Sequence, residues 1–160
     1  MKKRMMSLLL ELLKDSKRSD RELARVLEVS QPTITRMRSR LVKEGVIKEW
    51  TIIPDFVKMG YEILAITCIK GKWKKEFGER AVEWAMANPD IIFVARAEGM
   101  GKNAVVFSVH KNYAEYSDWL ADRMTEWADA LEAYDTILIS LGGRIIKPLS
   151  LKYLAEVEEK

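Results

Sequence analysis

The chain has 160 residues (18.5 kDa), of which 48% are hydrophobic and 32% charged, a composition that fits one large or two small folded domains and excludes a disordered chain. No apolar run approaches the ~20 residues of a membrane span, and Glu11 interrupts Leu8-Leu9-Leu10 before it could serve as a signal-peptide core, so the expected compartment is the cytoplasm. Cys68 and His110 are the single cysteine and histidine, which excludes an internal disulfide and a dedicated zinc site.

Charge divides the chain. Residues 1–60 hold 14 Lys/Arg against 8 Asp/Glu, a net of +6, and residues 61–160 hold 13 against 16, a net of −3. Two modules are expected, residues 1–53 and 54–160, the basic one facing a polyanion; an unevenly charged surface is the plainer reading.

Leu8, Leu9, Leu12 and Leu13 recur at helical spacing, predicting a first helix over about Met5 to Asp15. Met1 to Arg4 is a short basic arm. Ser19-Asp20-Arg21-Glu22 is a capping box opening a short second helix that buries Leu23, Ala24 and Leu27. Glu28-Val29 makes the turn. Ser30 is placed as an N-cap and Pro32 lies in the first turn of a third helix, which stops at Gly45. Two short helices joined by a tight turn form a helix-turn-helix.

The third helix carries the chemistry. Ile34, Met37 and Leu41 form one apolar stripe. The opposite side bears Thr35, Arg36, Ser39, Arg40 and Lys43, with Gln31 and Thr33 near the N-terminal end and no acid before Glu44. Arg can donate twice to guanine, Gln can pair with adenine, and hydroxyls and Lys can take phosphates. The expected partner is double-stranded DNA, with Arg36 and Arg40 foremost; an ordinary amphipathic surface helix is the alternative. Val46 to Ile53 is rich in β-formers and predicts the strand of a wing or a linking strand, ending at Pro54-Asp55.

Beyond Tyr61 the pattern predicts a strand (Glu62–Lys70), a helix (Lys74–Ala87), two strands (Ile91–Ala97, Asn103–Val109), a long helix from the Asn112 cap to about Leu131, and a fourth strand (Ala133–Leu141). This order is ferredoxin-like βαββαβ. The fold class is therefore α+β, an N-terminal winged helix-turn-helix followed by a ferredoxin-like domain. Leu149 to Val157 can add a short element. Ile63-Leu64-Ala65-Ile66, Ile91-Ile92-Phe93-Val94 and Ile137-Leu138-Ile139 are apolar on both faces, while two helices cover only one. A homodimer packed sheet to sheet, or a larger assembly of dimers, is expected.

Other sites fail on their residues. Gly99-Met100-Gly101-Lys102 has Arg96 where a P-loop needs Gly and Asn103 where it needs Ser/Thr, and it joins two strands. His110 reads as an exposed strand-end residue and Cys68 as buried and inert. Asp118, Asp122, Glu126 and Asp129 read as the solvated face of the long helix rather than a metal site. The five tryptophans fall mostly at core positions, not on a base-stacking platform. No acid–base pair or activated nucleophile appears, so an enzyme is not expected, and no cofactor or metal is called for.

The segments Ser19–Ala24, Val29–Ile34 and Leu41–Ile47, with Pro54-Asp55 and Gly60, resemble the Lrp/AsnC (feast/famine) transcription regulators. The resemblance implies a sequence-specific regulator whose second module forms dimers or rings and binds an amino acid or related effector between dimers. It places that effector at Glu98, Gly99, Met100, Gly101 and Lys102. The family usually shows an aspartate where Lys102 stands; the base reverses any pairing with an ammonium group, which implies a different ligand, an acidic one, or none. The third helix departs too, with Met37-Arg38 where the family usually has Arg before an apolar residue. An architectural protein coating DNA with little sequence preference is the alternative function.

Overall fold

The computed structural model describes residues 3–72 and 75–157. Of the basic arm, Met1 and Lys2 lie outside the described residues, while Lys3 and Arg4 begin the first helix. Lys74, the expected start of the fourth helix, and Trp73 also lie outside them. Among the described residues the elements are α1 (Lys3–Lys14), α2 (Asp20–Val26), α3 (Gln31–Lys43), β1 (Ile63–Gly71), α4 (Lys75–Ala87), β2 (Ile91–Gly99), β3 (Lys102–His110), α5 (Tyr113–Glu126), β4 (Leu131–Ser140) and α6 (Tyr153–Val157). They divide into two units. One comprises Met1–Ile53 and Lys147–Lys160, the other Pro54–Ile146. The tail from Lys147, which sequence reasoning leaves with the second domain, thus groups with the first.

In the first unit α1, α2 and α3 close over Met5, Leu8, Leu12, Leu23, Ala24, Ile34 and Leu41. Local chemistry fixes each end. The Glu22 N–H donates to Ser19 Oγ (3.2 Å) and the Ser19 N–H to Glu22 Oε2 (2.8 Å), completing the capping box. This bonding holds the Glu22 carboxyl below its ordinary range. At the end of α3, Gly45 adopts φ +69°, the Val46 N–H returns to the Leu41 carbonyl (2.9 Å) and the Gly45 N–H to that of Val42 (3.0 Å). This is a Schellman motif, and glycine suits its left-handed residue. α6 packs on α1 and buries Ala155.

The expected strand over Val46 to Ile53 is absent: no residue there joins a ladder. Its first two N–H groups are already spent on the Leu41 carbonyl, and this unit offers no neighbouring strand among its described residues. β-propensity without a partner leaves the backbone unpaired. Ile47 instead packs against the helical core.

The second unit is one antiparallel sheet in the order β2-β3-β1-β4, the ferredoxin-like arrangement. α4 and α5 lie on one face, over Thr67, Ile69, Val94, Ala104 and Val106. α5 ends a turn earlier than its periodicity suggests. The Ala130 and Leu131 N–H groups both return to the Trp127 carbonyl (3.0 and 2.8 Å), and Leu131 then pairs with Gly71 in the sheet. The other face carries a row in register across all four strands, Phe93, Phe107, Ile66 and Ile137. The Phe93 and Phe107 rings meet edge-on at 5.3 Å. Ile137 remains 61% exposed and Phe93 50%. Cys68 lies on this face and is half-buried, not enclosed in the core.

His110 is the other correction. It is buried rather than exposed, with Nε2 2.9 Å from Ser108 Oγ and its ring edge-on to Tyr116 and Trp119. The sequence places it at a strand end, but β3 finishes beneath α5, which supplies the cover.

Candidate nucleic-acid interface

α3 owes its orientation to its apolar stripe and to one acid of α2. Ile34 and Leu41 are fully buried and Met37 half-buried. Asp20 receives the Thr35 hydroxyl at 2.6 Å and the Arg38 guanidinium at 2.9 Å. Arg38 also donates to the Arg18 carbonyl (3.0 Å) and covers the Trp50 ring at 5.4 Å. The Met37-Arg38 order thus turns Arg38 sideways, into a strut between helices.

The outward face is what remains. Gln31, Thr35, Arg36, Ser39, Arg40 and Lys43 are exposed and Thr33 is half-buried. Thr35, Arg36, Ser39, Arg40 and Lys43 surround one shallow depression. Arg36 is lightly held; among the described residues it makes one long contact, to Thr33 Oγ1 at 3.5 Å. Arg40 reaches Glu44 at 2.6 Å, but both are exposed, and such a pair gives up its partner for a phosphate at little cost. The Thr35 hydroxyl proton is already committed to Asp20. Ser30 is at the N-cap, yet its hydroxyl meets Thr33 Oγ1 (2.8 Å) rather than a backbone N–H.

A second depression adjoins the first, formed by Arg38, Ser39, Val42, Lys43 and Trp50. Sequence reasoning passed over Trp50, which is 47% exposed and not in the core. A lone aromatic between charged Glu49 and polar Thr51 was the available signal. Trp84, Trp119 and Trp127 are half-buried between helices and sheet, as expected of core residues.

The expected effector turn is a tight β2–β3 connection. Gly99, Met100 and Gly101 all have positive φ, and Met100 is 93% exposed. Lys102 is turned toward β4, where its Nζ meets Asp135 Oδ2 at 2.6 Å. Among the described residues no group of three or more His, Cys, Asp or Glu could hold a metal, and no helix is long and apolar enough to cross a membrane.

A profile for winged helix-turn-helix DNA-binding domains matches residues 1–48. The HTH-type transcriptional regulator FL11 of Pyrococcus furiosus is 32% identical over 111 residues, covering 68% of this chain and 70% of that protein. The chain belongs to the Lrp/AsnC family of transcription regulators. The HTH-type transcriptional regulator LrpC of Bacillus subtilis is 36% identical over 90 residues, 56% of this chain but only 60% of LrpC. PH0061 of Pyrococcus horikoshii matches at 42% over 67 residues, 45% of its own length. In three dimensions the likeness runs further: the crystal structure of PH0061 covers 94% of this chain and 97% of its own, with a TM-score of 0.79 at 26% identity. The Lrp/AsnC architecture therefore extends over both units.

Proposed function

We propose that this protein is a sequence-specific DNA-binding transcription regulator, cytoplasmic and not an enzyme, that works as a homodimer or an assembly of dimers. One observation carries the reading: the exposed face of α3 presents Gln31, Arg36, Ser39, Arg40 and Lys43 with no acid before Glu44, while Asp20 and the buried stripe hold the helix in place. Arg36 and Arg40 take base edges or phosphates, Gln31, Thr33 and Ser39 take base edges, and Lys43 a phosphate. Thr35 contributes through its methyl group, its hydroxyl serving Asp20.

The dimer rests on the row Phe93, Phe107, Ile66 and Ile137, the apolar sheet face opposite α4 and α5. A second copy supplies a matching face. Twofold-related recognition helices then enter successive major grooves, with half-sites ~10 bp apart or a multiple of this. An effector would meet the Glu98–Lys102 turn, and an acidic one would have to take Lys102 from Asp135.

The test is binding-site selection from a random duplex pool, followed by affinity for the selected and a scrambled site at one salt concentration. The proposal predicts a palindromic selected site bound at least ~10³-fold more tightly than the scrambled one. Equal affinity for both would make the protein an architectural DNA-coating protein instead.

A further inference from the structure

Trp50 is a large apolar side chain that the helical core of the first unit does not use. The chain's last contribution to that core before the second unit is Ile47. Three residues on, the Trp50 ring lies over the Arg38 guanidinium at 5.4 Å and stays 47% exposed. Arg38 is spent on Asp20 and the Arg18 carbonyl, so it backs the ring and is not a free cation.

The depression that Trp50 closes has a mixed wall. Arg38, Ser39, Val42, Lys43 and Trp50 form it, and no acid does. Ser39 and Lys43 belong also to the depression on the DNA-reading face of α3. Val42 and Trp50 do not, and each is 47% exposed. The seat thus joins a cation and a hydroxyl, shared with the reading face, to two apolar side chains beside it. A free anion would leave Val42 and Trp50 in water, and a hydrocarbon would leave Lys43 without a counter-charge. A stacked base in a duplex is out of reach of the ring unless it is flipped out. The sugar–phosphate backbone meets both demands, since anionic phosphates alternate along it with largely apolar deoxyribose rings.

We propose that Trp50 is a DNA-backbone contact: Lys43 takes a phosphate at the flank of α3, and Trp50 and Val42 pack against the adjoining deoxyribose. The proposal rests on the reading of α3 as the DNA-binding helix and adds residues to it. Every duplex offers the same backbone, so this contact fixes the orientation of α3 and adds affinity without sequence preference.

Wild type, Trp50→Ala, Val42→Glu and Val157→Glu would be compared as full chains on the selected and the scrambled duplex. Val157, 70% exposed on α6, carries the same charge change away from the depression. Trp50→Ala should bind both duplexes roughly five- to tenfold more weakly. Its ratio of the two affinities should be that of wild type, and its salt slope too, because the indole carries no charge. Hydroxyl-radical footprints, which report the exposure of each sugar, should lose protection at one flank of each half-site. Val42→Glu should lose about tenfold or more by setting a carboxylate against the backbone, and Val157→Glu much less. Val42 is an exposed helix position, so Val42→Glu decides the matter if Trp50→Ala does not melt cooperatively. Undiminished affinity in the folded variants, or equal losses for Val42→Glu and Val157→Glu, would overturn the contact. A fall in the affinity ratio of Trp50→Ala would also overturn it, making Trp50 a prop for Arg38 and α3. So would a smaller assembly of Trp50→Ala in sedimentation, which would assign the ring to a second copy. If wild type binds neither duplex, the reading of α3 fails and takes this contact with it; if wild type binds and Trp50→Ala binds equally, only the contact fails.

Discussion

Asp20 and Arg38 form the tie between the two helices of the helix-turn-helix, at 2.9 Å, with both side chains about three-quarters buried. The second carboxylate oxygen takes the Thr35 hydroxyl at 2.6 Å, so one acid on α2 fixes two residues on successive turns of α3. Partial burial makes this pair worth more than an exposed one, and its loss strands Arg38 as well. Asp20→Ala is predicted to destabilise the protein by ~1–3 kcal/mol and to weaken DNA binding although no outward side chain changes. Asp20→Ala with Arg38→Ala should cost less than the sum of the two singles. Urea denaturation of all three variants decides it; strict additivity would mean the pair is not coupled.

Glu28 ends α2 in a left-handed conformation, φ +52°, while the Val29 N–H returns to the Ala24 carbonyl at 3.0 Å. Glycine adopts this geometry without steric cost. Glu28→Gly should therefore be neutral or stabilising by up to ~1 kcal/mol, and Glu28→Val destabilising. Thermal melts should rank the three proteins Gly, Glu, Val from most to least stable; the reverse order contradicts the assigned turn.

His110 gives the fold a pH dependence near neutrality. Burial lowers its pKa from the ordinary 6.5, outweighing the opposite pull of Asp90 and Glu115. The unfolded chain then binds the proton more readily than the folded one. The neutral imidazole's contribution is complete above ~6.5 and declines as pH falls through the lowered folded value. Glu11 acts in a separate window. Lys14 and Arg18 hold its carboxyl below the ordinary 4.5, so its contribution is lost only in stronger acid. The melting temperature should fall as pH drops below about 6.5, and His110→Gln should flatten that slope. A slope that persists in the variant would assign it to another group.

The open sheet face predicts an assembly that a charge can break. Replacing Ile137 and Phe93 together by lysine puts two cations into the row shared by all four strands. Sedimentation equilibrium should give at least a dimer for the parent chain and a monomer for the double variant, with its far-UV spectrum retained. A monomeric parent would leave the apolar face without its proposed occupant.

Much of this was legible because it is local. The Ser19/Glu22 capping box, the stop at Gly45 and the Gly99–Gly101 turn depend on residues within five positions of one another, and all three formed. The order βαββαβ followed from where periodicity changes. What failed depended on distant partners. Val46 to Ile53 had the propensity of a strand but no neighbouring strand. Helical spacing ran past Trp127 because neither glycine nor proline marks the end of α5, and pairing with Gly71 overrode it. Neither the burial of His110 nor the seating of α6 on α1 could be read without tertiary contacts. In the candidate interface, spacing found the outward face of α3 but not the inward duty of Arg38, which depends on Arg18 and Asp20 some twenty residues away.

The central claim is that α3 reads DNA with Arg36 and Arg40, and the measurement is duplex affinity across a salt series. Wild type, Arg36→Ala/Arg40→Ala, and Lys111→Ala as an exposed cation on the second unit would be compared on the selected site and on a scrambled one. Affinity should fall steeply with salt for wild type and Lys111→Ala. The double variant should lose ~1–3 kcal/mol per base-reading arginine, show a shallower slope for any phosphate contact removed, and discriminate poorly between the two duplexes. Unchanged affinity, slope and preference in the double variant would contradict the account.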